Sequence, residues 1–132
     1  MIEARTSTTL TLFVYGTLKR GGRNHALLAG QEFLGLARTA PRYRLFGRRS
    51  YPCLIEDSNG YAVEGELWRI GEAALPGLDE YEGAPLLFER RPVEVESEEG
   101  RVFAYVYLGE LAGLSECGSR WDEAGERTAP HE

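Results

Sequence analysis

Three carboxylates crowd one short stretch of the chain, where Asp79, Glu80 and Glu82 fall in the last turn of a predicted helix that Gly83 is expected to cap. A helix C-terminus carries a partial negative charge and normally attracts Lys or Arg. Acids placed there, close to one another, hold their protons more tightly, which brings a Glu towards the pKa of a useful general base. Asp79 and Glu82 share a helix face, whereas Glu80 points elsewhere. That shared face is a candidate acid/base site.

The same acidic pattern has a second explanation that involves no chemistry. In this interpretation the three acids are solvated at the surface, and Arg90 and Arg91, which follow along the chain, compensate their charge. The sequence leaves both explanations open.

A second stretch with chemical potential begins where an apolar, β-branched run stops at Tyr15-Gly16 and a glycine-flanked turn, Thr17 to Gly22, takes over. A strand that ends in such a turn exposes consecutive backbone N–H groups, and a nest of this kind can hold a carboxylate or an oxyanion. The alternative is an ordinary strand-to-loop turn without a ligand.

Several common catalytic motifs are absent from the sequence. It contains no G-x-S-x-G, no H-E-x-x-H and no C-x-x-C, and GTLKRGG lacks the Gly-Lys-Ser/Thr ending of a phosphate loop. Cys53 and Cys117 match no metal-ligand spacing and are expected to be free thiols. His131 lies at the C-terminal end, and His25 falls in a short predicted helix, in a capping or surface role. We therefore expect a carboxylate as acid/base group, with no metal and no cofactor.

The elements that must position these residues are mostly strands. Six short segments rich in β-branched and aromatic residues predict strands, namely TLTLFVYG, EFLGLART, YRLFG, YAVEGELWRI, PVEVES and RVFAYVYLG. Two segments predict helices: NHALLAG with Asn24 as N-cap, and a second between Gly71 and Gly83 with Pro76 at its first helical position. Strand-helix-strand units are few, so we predict an α+β fold, a small mixed β-barrel with flanking short helices.

The composition indicates one domain over residues 1–132, since 132 residues with 42% hydrophobic content can bury a proper core. We expect the core at about residues 10–121, closed by Trp121, and a polar C-terminal tail at 122–132. A net charge of -6 counts against a nucleic-acid partner. No stretch approaches the ~20 apolar residues of a membrane span, and the N-terminus lacks the features of a secretory signal. We expect a cytoplasmic protein without a membrane partner, and the oligomeric state stays open.

Four motifs, in this order and spacing, resemble the gamma-glutamylcyclotransferase-like family, and most closely its gamma-glutamylamine cyclotransferase branch. They are FVYGTLKRG at 13–21, SYP at 50–52, VEGEL at 63–67 and LDEYEG at 78–83. The resemblance covers the chain from about Leu12 to Trp121. It implies a small mixed β-barrel whose site is a cavity between the Tyr-Gly-Thr-Leu loop and a glutamate, here Glu82.

The resemblance also implies an activity, the conversion of a gamma-glutamyl amine or gamma-glutamyl amino acid to 5-oxoproline and the free amine. Glu82 would act as the general acid/base. The small-molecule gamma-glutamyl substrate would be held by Tyr15, Gly16, Thr17 and Leu18. Tyr107, in the last predicted strand, is expected to line the cavity, unless it is a core tyrosine with a satisfied hydroxyl group.

Two other classes of function remain open at this point. One is a non-catalytic binding module that keeps the cavity and recognises an amino-acid-like ligand. The other is a different amide-cleaving or ring-forming acyl transfer by the same glutamate, because a fold does not fix the leaving group. One departure from the family pattern is Phe88, which stands where family members often have Tyr.

Overall fold

The computed structural model describes residues 8–47, 51–84, 86–96 and 101–121. Within these ranges the strands are β1 (Thr9–Val14), β2 (Glu32–Arg38), β3 (Tyr43–Gly47), β4 (Pro52–Glu56), β5 (Glu64–Gly71), β6 (Phe88–Val93), β7 (Val102–Tyr107) and β8 (Ser115–Glu116). The helices are α1 (Leu75–Glu82) and two 3₁₀ helices, His25–Leu28 and Glu72–Ala74. The predicted polar tail, which contains His131, lies outside the described residues.

The strands form two sheets. The five-stranded sheet has the order β2-β5-β1-β7-β6, in which β1 runs antiparallel to β5 and parallel to β7. The three-stranded sheet has the order β4-β3-β8 and is antiparallel. The predicted mixed α+β class is therefore confirmed.

The predicted barrel is not confirmed, because the sheets do not close in the described part of the chain. β2 and β6 are the two edges of the five-stranded sheet, and beyond their ends the described chain joins them only by the isolated bridge Thr39–Val95. A barrel needs a continuous, staggered ladder of hydrogen bonds around its circumference. One bridge does not supply that ladder, and β3 pairs within its own sheet instead.

Five of the predicted strands correspond to β1, β2, β3, β5 and β7. The sixth was placed at PVEVES, whereas β6 lies earlier and shares only Pro92 and Val93 with it. β6 reads FERRPV, so its charged residues hide the strand signal, and its proline suits an edge strand. The prediction missed β4, which begins at a proline, and the two-residue β8.

The two predicted helices differ in how well they match. The segment after Asn24 is a single 3₁₀ turn, and the Asn24 side chain makes no capping hydrogen bond. The helix α1 begins at Leu75, so that Pro76 lies in its first turn, within one residue of the predicted position. It ends as predicted at Gly83, which has a left-handed φ of 70° and donates its N–H to the Glu80 carbonyl.

The strand β1 lies in the middle of the five-stranded sheet and is buried on both faces. Phe13 packs into a cluster with Trp121, which is buried as expected, while Leu12 and Val14 pack into a second cluster that includes Leu78 of α1. A strand held from both sides fixes the start of the loop that follows it. No helix in the described part of the chain is long and apolar enough to cross a membrane.

Candidate functional site

A cavity of about 180 Å³ opens where β1 ends. Residues 13–18 form one wall, and Tyr81 and Glu82 at the end of α1 form another. Pro52, Phe88 and Tyr105 contribute further lining. The fold therefore brings together the two stretches that the sequence singled out, although about 65 residues separate them in the chain.

The loop after β1 depends on a glycine. A Cβ atom at Gly16 would overlap the Pro52 ring, with 2.7 Å left to its Cδ. The Gly16 carbonyl accepts the Lys19 N–H at 3.0 Å, which closes a turn. Among the residues described, the N–H groups of Gly16, Thr17 and Leu18 donate to no backbone carbonyl. Residues 16–18, where the sequence predicts a nest of N–H groups, lie at the cavity wall.

Tyr15 ties this loop to the rest of the fold. Its buried hydroxyl group donates to the Tyr105 carbonyl at 2.7 Å and accepts the Leu54 N–H at 3.3 Å. Burial raises the pKa of Tyr15 well above its usual value, and nearby Glu82 adds to the shift. The hydroxyl of Tyr15 is therefore occupied in joining β1 to β7 and β4.

The far side of the same loop rests on Glu66, a buried carboxylate that the sequence analysis included only as part of a motif. Glu66 accepts hydrogen bonds from the Arg20 N–H at 3.1 Å, the Arg20 Nε at 3.2 Å and the Trp68 indole N–H at 3.0 Å. The His25 ring also contacts the loop, through Nδ1 at 2.9 Å from the Leu18 carbonyl. His25 therefore contacts the loop, a role that the sequence analysis did not predict.

Glu82 is the last residue of α1, and its carboxyl group faces the cavity from the helix end. Burial raises its pKa from 4.5 to about 7, because the charged form is poorly solvated there. No described side chain forms a hydrogen bond or ion pair with it. The direction of the shift is the one predicted, and burial is its cause.

Asp79 shares that helix face and has a different environment. Its two carboxylate oxygens accept Arg90 Nε at 3.0 Å and Nη2 at 2.9 Å, and the Tyr105 hydroxyl donates to Oδ1 at 2.6 Å. The hydrogen bond from Arg90 lowers the pKa of Asp79. Charge compensation by Arg90 is thus the right explanation for Asp79, while Arg91 pairs with Glu89 and Glu56 instead.

Tyr107 does not line this cavity, so its predicted place in the site is wrong. Its hydroxyl donates to the Glu110 carbonyl at 3.2 Å, and its ring packs edge-on against Phe88 at 5.3 Å. Phe88 is its partner across the strands and occupies the cavity wall in its place. Tyr105, two residues earlier on the same face of β7, lines the cavity instead.

Tyr81 also lines the cavity, although the sequence analysis gave it no role beyond its place in the LDEYEG motif. In the sequence, a tyrosine next to a glutamate on a helix does not indicate a site. Only the fold shows that both residues face the loop that follows β1. In the described part of the chain no three His, Cys, Asp or Glu residues are grouped so as to hold a metal ion. The arrangement can take up and return a proton at Glu82 while backbone N–H groups hold an anionic group opposite.

Comparison with known proteins adds independent findings. A family model described as gamma-glutamyl cyclotransferase, AIG2-like, matches residues 12–125. A putative gamma-glutamylcyclotransferase of Vibrio cholerae is 33% identical over 107 residues, which cover 81% of this chain and 91% of that protein. The human gamma-glutamylaminecyclotransferase is 37% identical over 98 residues, covering 68% of this chain and 64% of the human protein. The crystal structure of a mouse AIG2-like protein superimposes with a TM-score of 0.77 at 28% identity, covering 94% and 97% of the two chains.

Proposed function

Because the chain belongs to the gamma-glutamyl cyclotransferase, AIG2-like family of enzymes, we propose that it converts a gamma-glutamyl amine or gamma-glutamyl amino acid to 5-oxoproline and the free amine. Glu82 is the general acid/base in this proposal. The observation that carries it is a partly buried carboxyl group with a pKa of about 7, which shares a cavity with a loop whose N–H groups at residues 16–18 donate to no described backbone carbonyl.

The first step is the formation of the ring. The Glu82 carboxylate removes a proton from the substrate's α-ammonium group, and the freed amine attacks the γ-carbonyl carbon of the same molecule. A new C–N bond closes a five-membered ring, and the carbonyl oxygen becomes an oxyanion. The cavity contributes by holding the substrate folded, because an oriented intramolecular attack avoids much of the entropy cost of bringing two reactants together.

The second step is the release of the amine. Protonated Glu82 gives its proton to the leaving nitrogen, the original C–N bond breaks, and the carbonyl re-forms as the ring nitrogen of 5-oxoproline gives its second proton to the Glu82 carboxylate. Glu82 passes this second proton to the released amine, which leaves as an ammonium ion, so that Glu82 ends as a carboxylate and no water is consumed. A carboxyl group with a pKa near neutrality suits both transfers. The N–H groups of residues 16–18 would stabilise the oxyanion or bind the substrate's α-carboxylate.

The experiment is to measure 5-oxoproline release from a panel of gamma-glutamyl amines and gamma-glutamyl amino acids by the wild type, Glu82→Gln and Glu80→Gln. Glu80 is exposed on the same helix, so its substitution removes the same charge outside the cavity. We expect turnover by the wild type and by Glu80→Gln, and a ~100-fold or larger loss in Glu82→Gln.

Two results would overturn the proposal. Equal activity of Glu82→Gln and the wild type would remove Glu82 from the chemistry. Absence of 5-oxoproline with every substrate, while a gamma-glutamyl compound still raises the melting temperature, would indicate a binding module. The substrate panel also distinguishes a different acyl transfer, since another amide would then be cleaved without 5-oxoproline being formed.

A further inference from the structure

Glu66 is a buried carboxylate on β5 that contacts the loop after β1 from outside the cavity. It pairs across the sheet with Val14, the last residue of β1, and only 5% of its surface is exposed. It is not among the described residues that line the cavity. Taking a carboxylate out of water costs free energy unless hydrogen bonds replace the water. The donors around Glu66 therefore show what its burial holds in place.

Glu66 accepts three hydrogen bonds, and two of them come from Arg20 in the loop. Oε1 accepts the Arg20 main-chain N–H at 3.1 Å and the Trp68 indole N–H at 3.0 Å, and Oε2 accepts Arg20 Nε at 3.2 Å. The Arg20 guanidinium also lies over the Phe33 ring, 3.9 Å from its centre. One carboxylate oxygen therefore joins a main-chain group of the loop to a side chain of the sheet.

Trp68 extends this connection to a second point of the loop. Its ring packs against the His25 ring, with 5.2 Å between the ring centres. His25 Nδ1 lies 2.9 Å from the Leu18 carbonyl oxygen, and because a carbonyl oxygen only accepts, Nδ1 carries the proton of this bond. The loop is thus held at Leu18 and at Arg20, and both contacts lead back to the pair of Glu66 and Trp68.

The two contacts fix consecutive peptide groups of the loop. A peptide group is planar, so a hydrogen bond at one of its atoms orients the whole group. The bond at the Leu18 carbonyl orients the group between Leu18 and Lys19, and the bond at the Arg20 N–H orients the next one. The chain is therefore restrained on both sides of Lys19, directly after residues 16–18 of the cavity wall.

We propose that Glu66 is a positioning residue for the release of 5-oxoproline, because its hydrogen bond to the Arg20 main-chain N–H keeps residues 16–18 in place at the cavity wall. The inference rests on the proposed function, since it concerns turnover at that same site. Glu66 does not line the cavity, so it acts through the loop and is not a catalytic residue.

Two conservative variants separate the position of this carboxylate from its charge. Glu66→Gln keeps the length of the side chain, and its amide oxygen can accept the Arg20 and Trp68 N–H groups although the negative charge is gone. Glu66→Asp keeps the charge, but it is one methylene group shorter, which withdraws its oxygens from these donors. Thr39→Val is the control for lost stability. It removes another buried acceptor, that of the Val63 N–H at 2.9 Å, and Thr39 lies outside the cavity lining.

The test measures kcat and KM for 5-oxoproline release at a temperature well below the melting temperature of every variant. We expect Glu66→Asp to lose roughly tenfold or more in kcat, because a small misplacement of the groups around a substrate slows its reaction. Glu66→Gln and Thr39→Val should stay near the wild type. A larger loss in Glu66→Gln than in Glu66→Asp would overturn the proposal, because the charge of Glu66 would then matter and its reach would not.

Trp68→Phe tests the same contact from its other side and keeps the proposal testable if Glu66→Asp does not fold. It removes the indole N–H that Glu66 Oε1 accepts, and it keeps an aromatic ring beside His25. We expect a smaller loss in kcat than in Glu66→Asp, because the Arg20 N–H can still donate to Glu66. Wild-type kcat in whichever of these two variants folds would overturn the proposal.

Hydrogen exchange of the loop amides, followed by NMR, gives a readout besides activity. Exchange reports local opening of the structure, so the Arg20 amide should exchange faster in Glu66→Asp than in the wild type, Glu66→Gln or Thr39→Val. Equal exchange rates in Glu66→Asp and the wild type would overturn the inference.

The kinetic results separate failure of this inference from failure of the proposed function. An active wild type with the same kcat in Glu66→Asp and Thr39→Val would overturn the inference alone. A wild type that releases no 5-oxoproline from any substrate of the panel would overturn the proposed function and the inference with it.

Discussion

Asp79 and Glu82 lie three residues apart on one face of α1, yet their environments move their pKa values in opposite directions. Asp79 is held by Arg90 and by the Tyr105 hydroxyl, and its pKa is lowered. Glu82 has no such partner among the described residues, and burial raises its pKa to about 7. The difference shows that position on a helix decides little, whereas the groups that face each carboxylate decide its protonation.

The two carboxylates also have different structural roles. The Asp79–Arg90 pair joins α1 to the edge strand β6, and Tyr105 joins it to β7. Those contacts fix the helix whose end presents Glu82 to the cavity. Burying an unpaired carboxylate costs folding free energy, and a nearby anchor that is itself favourable keeps the helix in place despite that cost.

The largest effect that would sharpen this comparison is a gain in stability from Glu82→Gln. A carboxyl group whose pKa is higher in the folded state than in the unfolded state destabilises the protein once the pH exceeds its unfolded value. The loss accumulates between pH 4.5 and about pH 7. We expect Glu82→Gln to be more stable than the wild type by about 3 kcal/mol at pH 8, and the difference to vanish near pH 4.

The measurement is urea unfolding at pH 4, 6 and 8, with Glu80→Gln as the control because Glu80 is exposed on the same helix. The control should change stability by less than about 0.5 kcal/mol at each pH. A Glu82→Gln variant that is less stable than the wild type at pH 8 would show that Glu82 has a favourable partner.

The second effect is the pH dependence of the proposed reaction. Glu82 must be deprotonated to accept a proton, so kcat/KM for 5-oxoproline release should fall on the acidic side with an apparent pKa near 7. Between pH 7 and pH 5 we expect a fall of roughly 50- to 100-fold. An acidic limb near pH 4 would mean that a carboxyl group in an ordinary environment, rather than Glu82, limits the reaction.

The sequence predicted the residues of the candidate site better than it predicted whether the sheets close into a barrel. Glu82 and the loop from Tyr15 to Leu18 were identified from local patterns and a resemblance, and both line one cavity. The distinction between Asp79 and Glu82 could not be predicted, because it depends on Tyr105 and Arg90, which only the folded sheet brings to Asp79. Local patterns report neighbours along the chain, and burial arises from neighbours in space.

The same limit explains the errors in the fold. Alternating side chains predict that a segment is a strand, but they do not predict how the edges of the sheet meet, so the predicted barrel is not confirmed. The charged β6 and the two-residue β8 carry little hydrophobic signal and were misplaced or missed. Tyr107 was assigned to the cavity because it lies on the face of β7 that points towards the cavity. The ring of Phe88 on the neighbouring strand packs against Tyr107 and lines the cavity instead.

A third, smaller effect concerns the anchor. Asp79→Asn removes the charge that Arg90 and Tyr105 recognise, and the pair is only partly shielded, with side-chain exposures of 30% and 27%. We expect a loss of about 1–2 kcal/mol in stability at pH 7. Because the pKa of Asp79 is lowered, this contribution is present above its usual pKa of 3.8 and disappears as the pH falls through the folded value.

This dependence on pH is opposite to that of Glu82, which makes the two variants a matched pair in one set of unfolding curves. The kcat/KM of Asp79→Asn should fall less than that of Glu82→Gln, because Asp79 acts only through the position of α1. If Asp79→Asn abolished activity as completely as Glu82→Gln while remaining folded, Asp79 would have to take part in the proton transfer.

The smallest effect isolates a single hydroxyl group, that of Tyr105. Tyr105→Phe removes the hydrogen bond of 2.6 Å to Asp79 and leaves the Tyr105 carbonyl in place to accept from Tyr15. We expect a loss of about 1 kcal/mol at pH 7. The loss should shrink at low pH, because the hydroxyl group stabilises the ionised form of Asp79 and its removal brings the pKa of Asp79 nearer its usual value.

Tyr107→Phe is the control, since it makes the same chemical change on the same face of β7, where the hydroxyl meets only the Glu110 carbonyl in the described structure. Its effect on stability should not vary with pH between 3 and 7, because its partner does not ionise. Its kcat/KM should equal that of the wild type, because Tyr107 lies outside the cavity lining. Equal, pH-independent losses in the two variants would mean that the Tyr105 hydroxyl contributes nothing to the ionisation of Asp79, and that Arg90 alone separates the two carboxylates of α1.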